Sequence, residues 1–254
     1  ALLLHGALTY FGIPTVIDHL IDIPLHMMLL KGESIFWSIP VEFKYYFISP
    51  LILWFCHRLF SWNKQQLFIL FSSLILLTIV FEIVFRLPLV STFRYFPIFL
   101  VGTMISIYEL LYNNDINPTK NSSIYNFLGI IAFGVILITF PYYFEKLFGL
   151  RINFHSPVFY LPYSVLWGII LFSAKYSNGI IKRLLELKFL RFIGTISFSL
   201  YLFHMLFLNF VKQLGVNQNY KIYIFLSLTI FFSSITYLLI EKPLSKIRLK
   251  PKRN

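Results

Sequence analysis

Long apolar stretches alternate with short polar ones along the whole chain. The apolar stretches cover residues 34–54, 67–85, 95–112, 125–144, 157–174, 192–211 and 222–240. Most are close to the roughly 20 residues that an α-helix needs to cross a bilayer. The pattern predicts an all-α, polytopic membrane bundle of about seven complete transmembrane helices, with a partial helix in residues 1–13. The polar stretches are too short for a soluble domain, so residues 1–254 are predicted to form a single membrane domain.

Composition supports a membrane protein and excludes two other classes. Hydrophobic residues make up 58% of the chain and charged residues 13%, and a soluble protein with so apolar a surface would aggregate. Lys and Arg outnumber Asp and Glu by 22 to 10, but they lie mainly in short loops and in the tail. Basic residues there orient a membrane protein, so we do not expect nucleic-acid binding. Cys56 is the only cysteine, which excludes an intrachain disulfide and a cysteine-based metal site.

Two basic segments predict the orientation in the membrane. The tail 242–253 is strongly basic, and residues 178–191 carry Lys182, Arg183, Lys188 and Arg191 among leucines. An excess of basic residues marks cytoplasmic segments. The C-terminus is therefore predicted to be cytoplasmic, and residues 178–191 to lie on the inner leaflet of the cytoplasmic membrane as an amphipathic segment.

The apolar stretch 34–54 carries a carboxylate, Glu42. Helical spacing predicts that Glu42 shares a polar face with four other side chains: Ser38, Tyr45, Tyr46 and Ser49. A carboxylate near the centre of a membrane helix costs about 2.5–3.5 kcal/mol, so such residues usually face a protein interior or a water-filled cavity. One interpretation is an active site lined by Glu42. The other is that Glu42 lies in the first helical turn, complements the positive helix end and faces interfacial water.

A second candidate group follows in residues 192–211. Gly194, Ser197, Tyr201 and His204 are spaced by three, four and three residues and are predicted to share one helix face. His204 would lie about 15 Å beyond Gly194, at a depth that Glu42 could also reach. A histidine with a carboxylate partner can act as a general base on a hydroxyl group. The alternative is structural: His204 and Tyr201 would make buried hydrogen bonds between helices.

Other polar residues favour structural roles. Residues 14–33 hold Asp18, His19, Asp22 and His26, but their spacing matches no metal signature and indicates a solvated loop. The remaining polar residues are assigned as follows: Glu82 and Arg86 as an interfacial ion pair, Glu241 as part of a helix stop, Trp37 and Trp54 as possible interfacial anchors, and His5, His57 and His155 as loop or interface residues.

Several motifs resemble those of the acyltransferase 3 family of membrane proteins. Residues 37–50 read W-S-I-P-V-E-F-K-Y-Y-F-I-S-P, residues 192–207 read F-I-G-T-I-S-F-S-L-Y-L-F-H-M-L-F, and residues 240–243 read I-E-K-P. Each is similar to a family segment, and they follow in the family's order. Residues 94–102 are a weaker match to the family's entry into a middle helix.

The resemblance implies an O-acyltransferase that moves an acyl group, foremost acetyl from acetyl-CoA, to a hydroxyl of a cell-surface or exported glycan. Within this chain we predict Glu42, as an orienting or base residue, and His204 as catalytic residues, and five substrate-binding residues: Trp37, Ser38, Tyr46, Tyr201 and Arg94. Acyl-CoA, a glycan and membrane lipids are the expected partners, with no metal and no bound cofactor. The family is understood to have about ten spans, so the first two to three family helices are expected to be missing here.

The family's presumed catalytic histidine lies on its first helix, within the part expected to be missing. No stretch of this chain matches the family's arginine pair. Two alternatives carry no chemistry: a transporter or flippase for lipid-linked glycans, or a structural subunit of polysaccharide export. The spans at 67–83 and 222–240 are nearly bare of charge, which argues against a polar transport path. The sequence leaves the oligomeric state open.

Overall fold

The computed structural model describes residues 5–6, 10, 19, 21–32, 34–88, 91–112, 122–150 and 160–247. Within these ranges the regular structure is helical and contains no strand. We number the α-helices in chain order: α1 Asp22–Met27, α2 Ser38–Phe60, α3 Lys64–Phe85, α4 Thr92–Tyr112, α5 Ser122–Thr139, α6 Pro141–Phe148, α7 Leu161–Tyr176, α8 Ile180–Leu185, α9 Lys188–Thr195, α10 Ser197–Gln213, α11 Gln218–Thr236 and α12 Lys242–Ser245. A 3₁₀ turn, Ser34–Trp37, precedes α2, and a π-helical turn, Tyr237–Glu241, joins α11 to α12.

The chain divides into two compact units. One unit comprises Ala1–Pro40 and Lys188–Asn254, and the other comprises Val41–Leu187. We call them the terminal unit and the central unit. The terminal unit contains the 3₁₀ turn with α1 and α9 to α12, and the central unit contains most of α2 with α3 to α8.

Two apolar clusters hold the central unit together. The first joins α2, α3 and α4 through buried side chains that include Cys56, Phe71 and Leu100. The second joins α5, α7 and α8 through Ala132, Ile170 and Ile181. Such interdigitated packing supplies the van der Waals contacts that hold apolar helices together in a membrane.

The terminal unit is built on the packing of α10 against α11. Phe203, Leu206 and Phe207 of α10 are buried, and Phe225 and Leu228 of α11 pack against them. At the other end of the pair, the hydroxyl of Ser199 donates a hydrogen bond to the carboxylate of Glu241. The helix continues through Glu241 into α12, so the predicted helix stop at Glu241 is wrong. Pro243 lies directly after the π-helical turn, in which the backbone N–H of Lys242 bonds to the carbonyl of Tyr237, and the helix runs on to Ser245.

Among the described residues, four helices are long and apolar enough to cross a membrane: Lys64–Phe85, Thr92–Leu111, Ser122–Thr139 and Gln218–Ser245. A fifth span results if Lys188–Thr195 and Ser197–Gln213, which are bent by 75° at their junction, count as one. The other predicted spans are helices too, but α2 carries Glu42 and Lys44, and α7 has 16 residues. The described structure therefore confirms an all-α fold with membrane-spanning helices, and the count of seven stays a prediction.

Two predicted spans are interrupted. The helix predicted over 125–144 ends at Thr139, and α6 starts at Pro141, a residue that favours the first turn of a new helix. The helix predicted over 192–211 breaks at Ile196, where the hydroxyl of Thr195 turns back to the carbonyl of Arg191. Such side-chain bonds bend helices. The spacing predicted that Gly194 shares a helix face with Tyr201 and His204. This prediction is wrong, because the break places Gly194 in a separate helix, α9.

Two predicted surface features are also wrong. Residues 14–33 are not simply a solvated loop, since they contain α1, in which Asp22 and His26 are buried. Glu82 pairs with Arg94, whose Nε lies 3.4 Å from Glu82 Oε1, and not with Arg86. The reason is local: α3 ends at Phe85, and Arg86 takes the left-handed cap conformation with φ of 45°. Arg86 therefore no longer continues the helical spacing from Glu82.

Candidate active site in the terminal unit

Tyr201 connects α10 to the 3₁₀ turn before α2. Its hydroxyl donates a hydrogen bond to the backbone carbonyl of Ile35, inside that turn. The hydroxyl of Ser38, the first residue of α2, donates to the Tyr201 oxygen at 3.1 Å. Ile35 is buried, while Ser38 and Tyr201 are half-buried. Two predicted substrate-binding residues, Ser38 and Tyr201, are thus brought together. The structural alternative for Tyr201, a hydrogen bond between helical elements, is also present.

His204 lies one helical turn after Tyr201 and is half-buried. Its Nδ1 is 2.7 Å from the backbone carbonyl of Tyr201, and the two rings lie 5.8 Å apart. A carbonyl oxygen only accepts hydrogen bonds, so Nδ1 carries the proton in the neutral ring. Nε2 is then the basic nitrogen. His204 therefore carries a proton acceptor one helical turn beyond Tyr201, whose hydroxyl bonds to Ser38.

Two further imidazoles flank the same 3₁₀ turn. The rings of His5 and His26 lie 5.3 and 5.4 Å from the ring of Phe36, and all three side chains are buried. His5 Nε2 is 3.4 Å from the carbonyl of Leu202 in α10, and His26 Nδ1 is 2.9 Å from the carbonyl of Lys31. His26 Nε2 is buried and has no hydrogen-bond partner among the residues that the structure describes.

The sequence did not identify His5 and His26 as part of this group. His26 was predicted to be part of a solvated loop, which is wrong because its side chain is buried. His5 was predicted to be a loop or interface residue, and its buried ring lies against Phe36 and the carbonyl of Leu202 in α10. Their separation from the W-S-I-P motif follows no helical or metal-ligand spacing. The only available signal was two histidines shortly upstream of an aromatic motif, which is too unspecific to assign contacts.

An ion pair fixes the segment that carries His26. Lys31 Nζ lies 2.8 Å from Asp22 Oδ1, and Asp22 Oδ2 accepts from the backbone N–H of His19 at 3.1 Å. The side chain of Asp22 is 4% exposed. The hydrogen bond from Lys31 is the main cause that holds the pKa of Asp22 below its usual value. The carboxylate is therefore charged at neutral pH and ties both ends of α1 together.

The other predicted site residues have different surroundings. Trp37 closes the 3₁₀ turn of the terminal unit and is half-buried. Glu42 and Tyr46 belong to the central unit, and both side chains are exposed. Their neighbour Tyr45 is instead buried, stacks on Phe99 at 4.5 Å and shares a 2.5 Å hydrogen bond with Thr103.

The predicted polar face of α2 does not form as one surface. Tyr45 is buried in the core, whereas Glu42 and Tyr46 are exposed. The members of this face are separated because Tyr45 turns toward α4 and contributes to the core of the central unit. The proposed approach of Glu42 to His204 stays a prediction.

Arg94 makes structural contacts in the central unit. Its Nη1 donates to the carbonyl of Leu87 at 2.8 Å, and its Nε pairs with Glu82. The side chain is 14% exposed. Its charge is thus already compensated, and a role in substrate binding stays a prediction. Among the described residues, no group of three or more His, Cys, Asp or Glu side chains could hold a metal ion.

Comparison with known families decides the class. The family model described as an acyltransferase domain matches residues 3–240. The chain belongs to the acyltransferase 3 family. Comparisons with curated proteins and with solved structures give no match. In this acyltransferase, the matched range contains every described residue of the Tyr201 cluster, which we define as Ile35, Phe36, Ser38, Tyr201 and His204.

Proposed function

We propose that this acyltransferase moves an acyl group, foremost acetyl, from acyl-CoA to a hydroxyl of a cell-surface or exported glycan. It would do so in the cytoplasmic membrane, with its basic C-terminal tail on the cytoplasmic side. Family membership supports acyl transfer in a membrane. One observation supports the choice of site: Nδ1 of His204 bonds to the backbone carbonyl of Tyr201, which leaves Nε2 as a base.

The proposed reaction has one base and one nucleophile. Nε2 of His204 accepts the proton of the glycan hydroxyl as its oxygen attacks the thioester carbonyl. The resulting tetrahedral intermediate collapses, the carbon–sulfur bond breaks, and the departing thiolate takes the proton from the imidazolium. The products are the glycan ester and free CoA. Such a proton transfer typically contributes about 10²–10⁴ in rate.

Tyr201 and Ser38 would position the acceptor. The Tyr201 hydroxyl uses its proton on Ile35 and accepts from Ser38. The oxygen of Ser38 keeps free lone pairs, which can accept a hydrogen bond from a sugar hydroxyl. Trp37, at the end of the same turn, adds an aromatic surface. These contacts would place the reacting hydroxyl within reach of Nε2.

The test replaces His204 in the full-length protein and measures acylation of the glycan by mass spectrometry. His204→Asn keeps a donor where Nδ1 lies but lacks the basic nitrogen, and we expect the turnover number to fall by about 10²–10⁴ with little change in stability. His57→Asn is the matched control, because His57 is exposed in α2. Unchanged turnover of His204→Asn would remove His204 as the base. Export of glycan with no acylation in the wild type would instead favour the transporter alternative.

A further inference from the structure

The central unit contains a groove that the proposed reaction does not use. It lies between α4 and α7 and has a volume of about 660 Å³, which is within the range of small-molecule binding sites. Ile98, Gly102 and Glu109 line it from α4, and Ser164, Gly168 and Lys175 line it from α7. Gly168 lets the helices approach closely, since a Cβ there would meet Ile105 Cδ1 at 2.3 Å.

The groove has the length of one membrane leaflet. Ile98 and Glu109 are eleven positions apart in the chain, and so are Ser164 and Lys175. At about 1.5 Å per residue, each lining stripe is about 16 Å long. Half of the hydrocarbon core of a bilayer is about 15 Å thick. Helix α4 is a membrane span by length and hydropathy, so an acyl chain of the surrounding lipid is the natural match for the apolar part of the groove.

Charge of both signs marks one end of the groove. Lys175 Nζ pairs with Glu109 Oε1, and the hydroxyl of Tyr176 donates to the same oxygen at 2.8 Å. The side chains of Lys175 and Glu109 are 61% and 25% exposed, so both can meet a ligand. Glu109 lies three residues before the end of α4 and Lys175 one residue before the end of α7. The ends of membrane-spanning helices are where lipid headgroups are expected.

We propose that the α4–α7 groove binds one phospholipid with a zwitterionic phosphoethanolamine headgroup. The acyl chain lies along Gly102 and Gly168, the phosphate contacts Lys175, and the ammonium contacts Glu109. The headgroup complements the ion pair in both signs. A choline headgroup carries no N–H to donate to Glu109, and an anionic headgroup without an amine leaves the Glu109 carboxylate unmatched.

Lipid selectivity of the wild type is the first test. The full-length protein is placed in nanodiscs of phosphatidylethanolamine, phosphatidylcholine or phosphatidylglycerol, and retained lipids are counted by native mass spectrometry after release into detergent. We expect one retained phosphatidylethanolamine, with at least about ten-fold lower retention of the other two lipids, as the loss of one charge-assisted hydrogen bond predicts. Equal or greater retention of phosphatidylglycerol or phosphatidylcholine would overturn the headgroup assignment.

Two glycines provide matched variants for the second test. A Cβ at Gly102 meets nothing within 4 Å, so the side chain of Gly102→Leu starts in open space and extends into the groove. Gly134 in α5 is equally open, lies outside the groove and also sits within a helix, so Gly134→Leu controls for helix effects. We expect Gly102→Leu to lose the bound lipid and Gly134→Leu to keep it. Retention of the lipid by Gly102→Leu would overturn the site.

A charge variant completes the test. Glu109→Gln combined with Lys175→Gln removes both charges and leaves the net charge unchanged. We expect this variant to retain a lipid but to lose the preference for phosphatidylethanolamine. An unchanged preference would contradict the role of the ion pair. If the mass spectrum shows a dimer that Gly102→Leu disrupts, a second copy fills the groove and the lipid proposal is wrong.

Discussion

The hydroxyl of Tyr201 donates a hydrogen bond to the backbone carbonyl of Ile35, and this bond ties α10 to the turn that precedes α2. Tyr201→Phe removes the hydroxyl but keeps the ring. Its effect therefore measures the loss of two hydrogen bonds: the one to Ile35 and the one from Ser38. We expect a loss of about 1 kcal/mol in the free energy of unfolding. Because the turn carries Trp37 and leads into Ser38, we also expect a higher KM for the glycan.

Tyr223→Phe provides the control for Tyr201→Phe. Tyr223 lies in α11 of the same unit and is 68% exposed, so loss of its hydroxyl should change neither stability nor KM. Steady-state acylation with varied glycan separates KM from turnover, and thermal unfolding reports the stability. If Tyr201→Phe matches wild type in both measurements, the bond to Ile35 does not position the acceptor.

The carboxylate of Glu42 is predicted to act in catalysis, and its exposed side chain is accessible to substrate. Glu42→Gln keeps the shape of the side chain and removes its charge. We expect the rate of glycan acylation by the full-length protein to fall at least about ten-fold, within the usual effect of an acid–base residue. Lys44→Gln, two residues along the same exposed stretch of α2, is the control. Undiminished acylation by Glu42→Gln would remove Glu42 from the mechanism.

The sequence predicted the class of fold better than its details. The length of the apolar stretches alone was enough to locate α3, α4 and α11, because a chain segment that crosses lipid satisfies its backbone hydrogen bonds by forming a helix. The break at Ile196 could not be predicted, because helical spacing does not show that the Thr195 hydroxyl bonds back to the carbonyl of Arg191. The burial of His26 could not be predicted either, because it depends on how α1 packs against Phe36. The motif pointed to Ser38 and Tyr201 separately, but only the folded chain shows that their hydroxyls meet at 3.1 Å.

The ion pair of Asp22 and Lys31 predicts a pH dependence of stability. The pair lowers the pKa of Asp22 from its ordinary value of 3.8, mainly through the hydrogen bond from Lys31. A carboxyl group with a lowered pKa in the folded state stabilises the fold above its unfolded-state pKa. That contribution is lost as the pH falls through the lowered folded-state value. Asp22→Asn should therefore be less stable than wild type at pH values above about 5, and the difference should shrink toward pH 3.

Thermal unfolding of both proteins between pH 7 and pH 3 measures this difference. Glu186→Gln is the control, since Glu186 is an exposed acid of the central unit and should leave the pH dependence unchanged. A constant difference between Asp22→Asn and wild type across the whole range would show that the ion pair does not contribute through the charge of Asp22.

The ion pair of Glu82 and Arg94 separates a structural role of Arg94 from a role in substrate binding. Both side chains are largely buried, at 5% and 14% exposure, so removing one charge leaves the other uncompensated. We expect Glu82→Gln to lower the free energy of unfolding by about 3–5 kcal/mol. Arg86→Gln, at the exposed helix cap, should change it by less than about 0.5 kcal/mol.

The double variant Glu82→Gln with Arg94→Met removes both charges and should recover much of the lost stability, because no buried charge is left alone. Its kinetics then decide the role of Arg94. If acylation by the recovered protein has the KM of wild type, Arg94 serves the fold by holding the carbonyl of Leu87 and the carboxylate of Glu82. If stability recovers while KM for acyl-CoA or glycan rises at least about ten-fold, the guanidinium also binds substrate, as the sequence motif predicts.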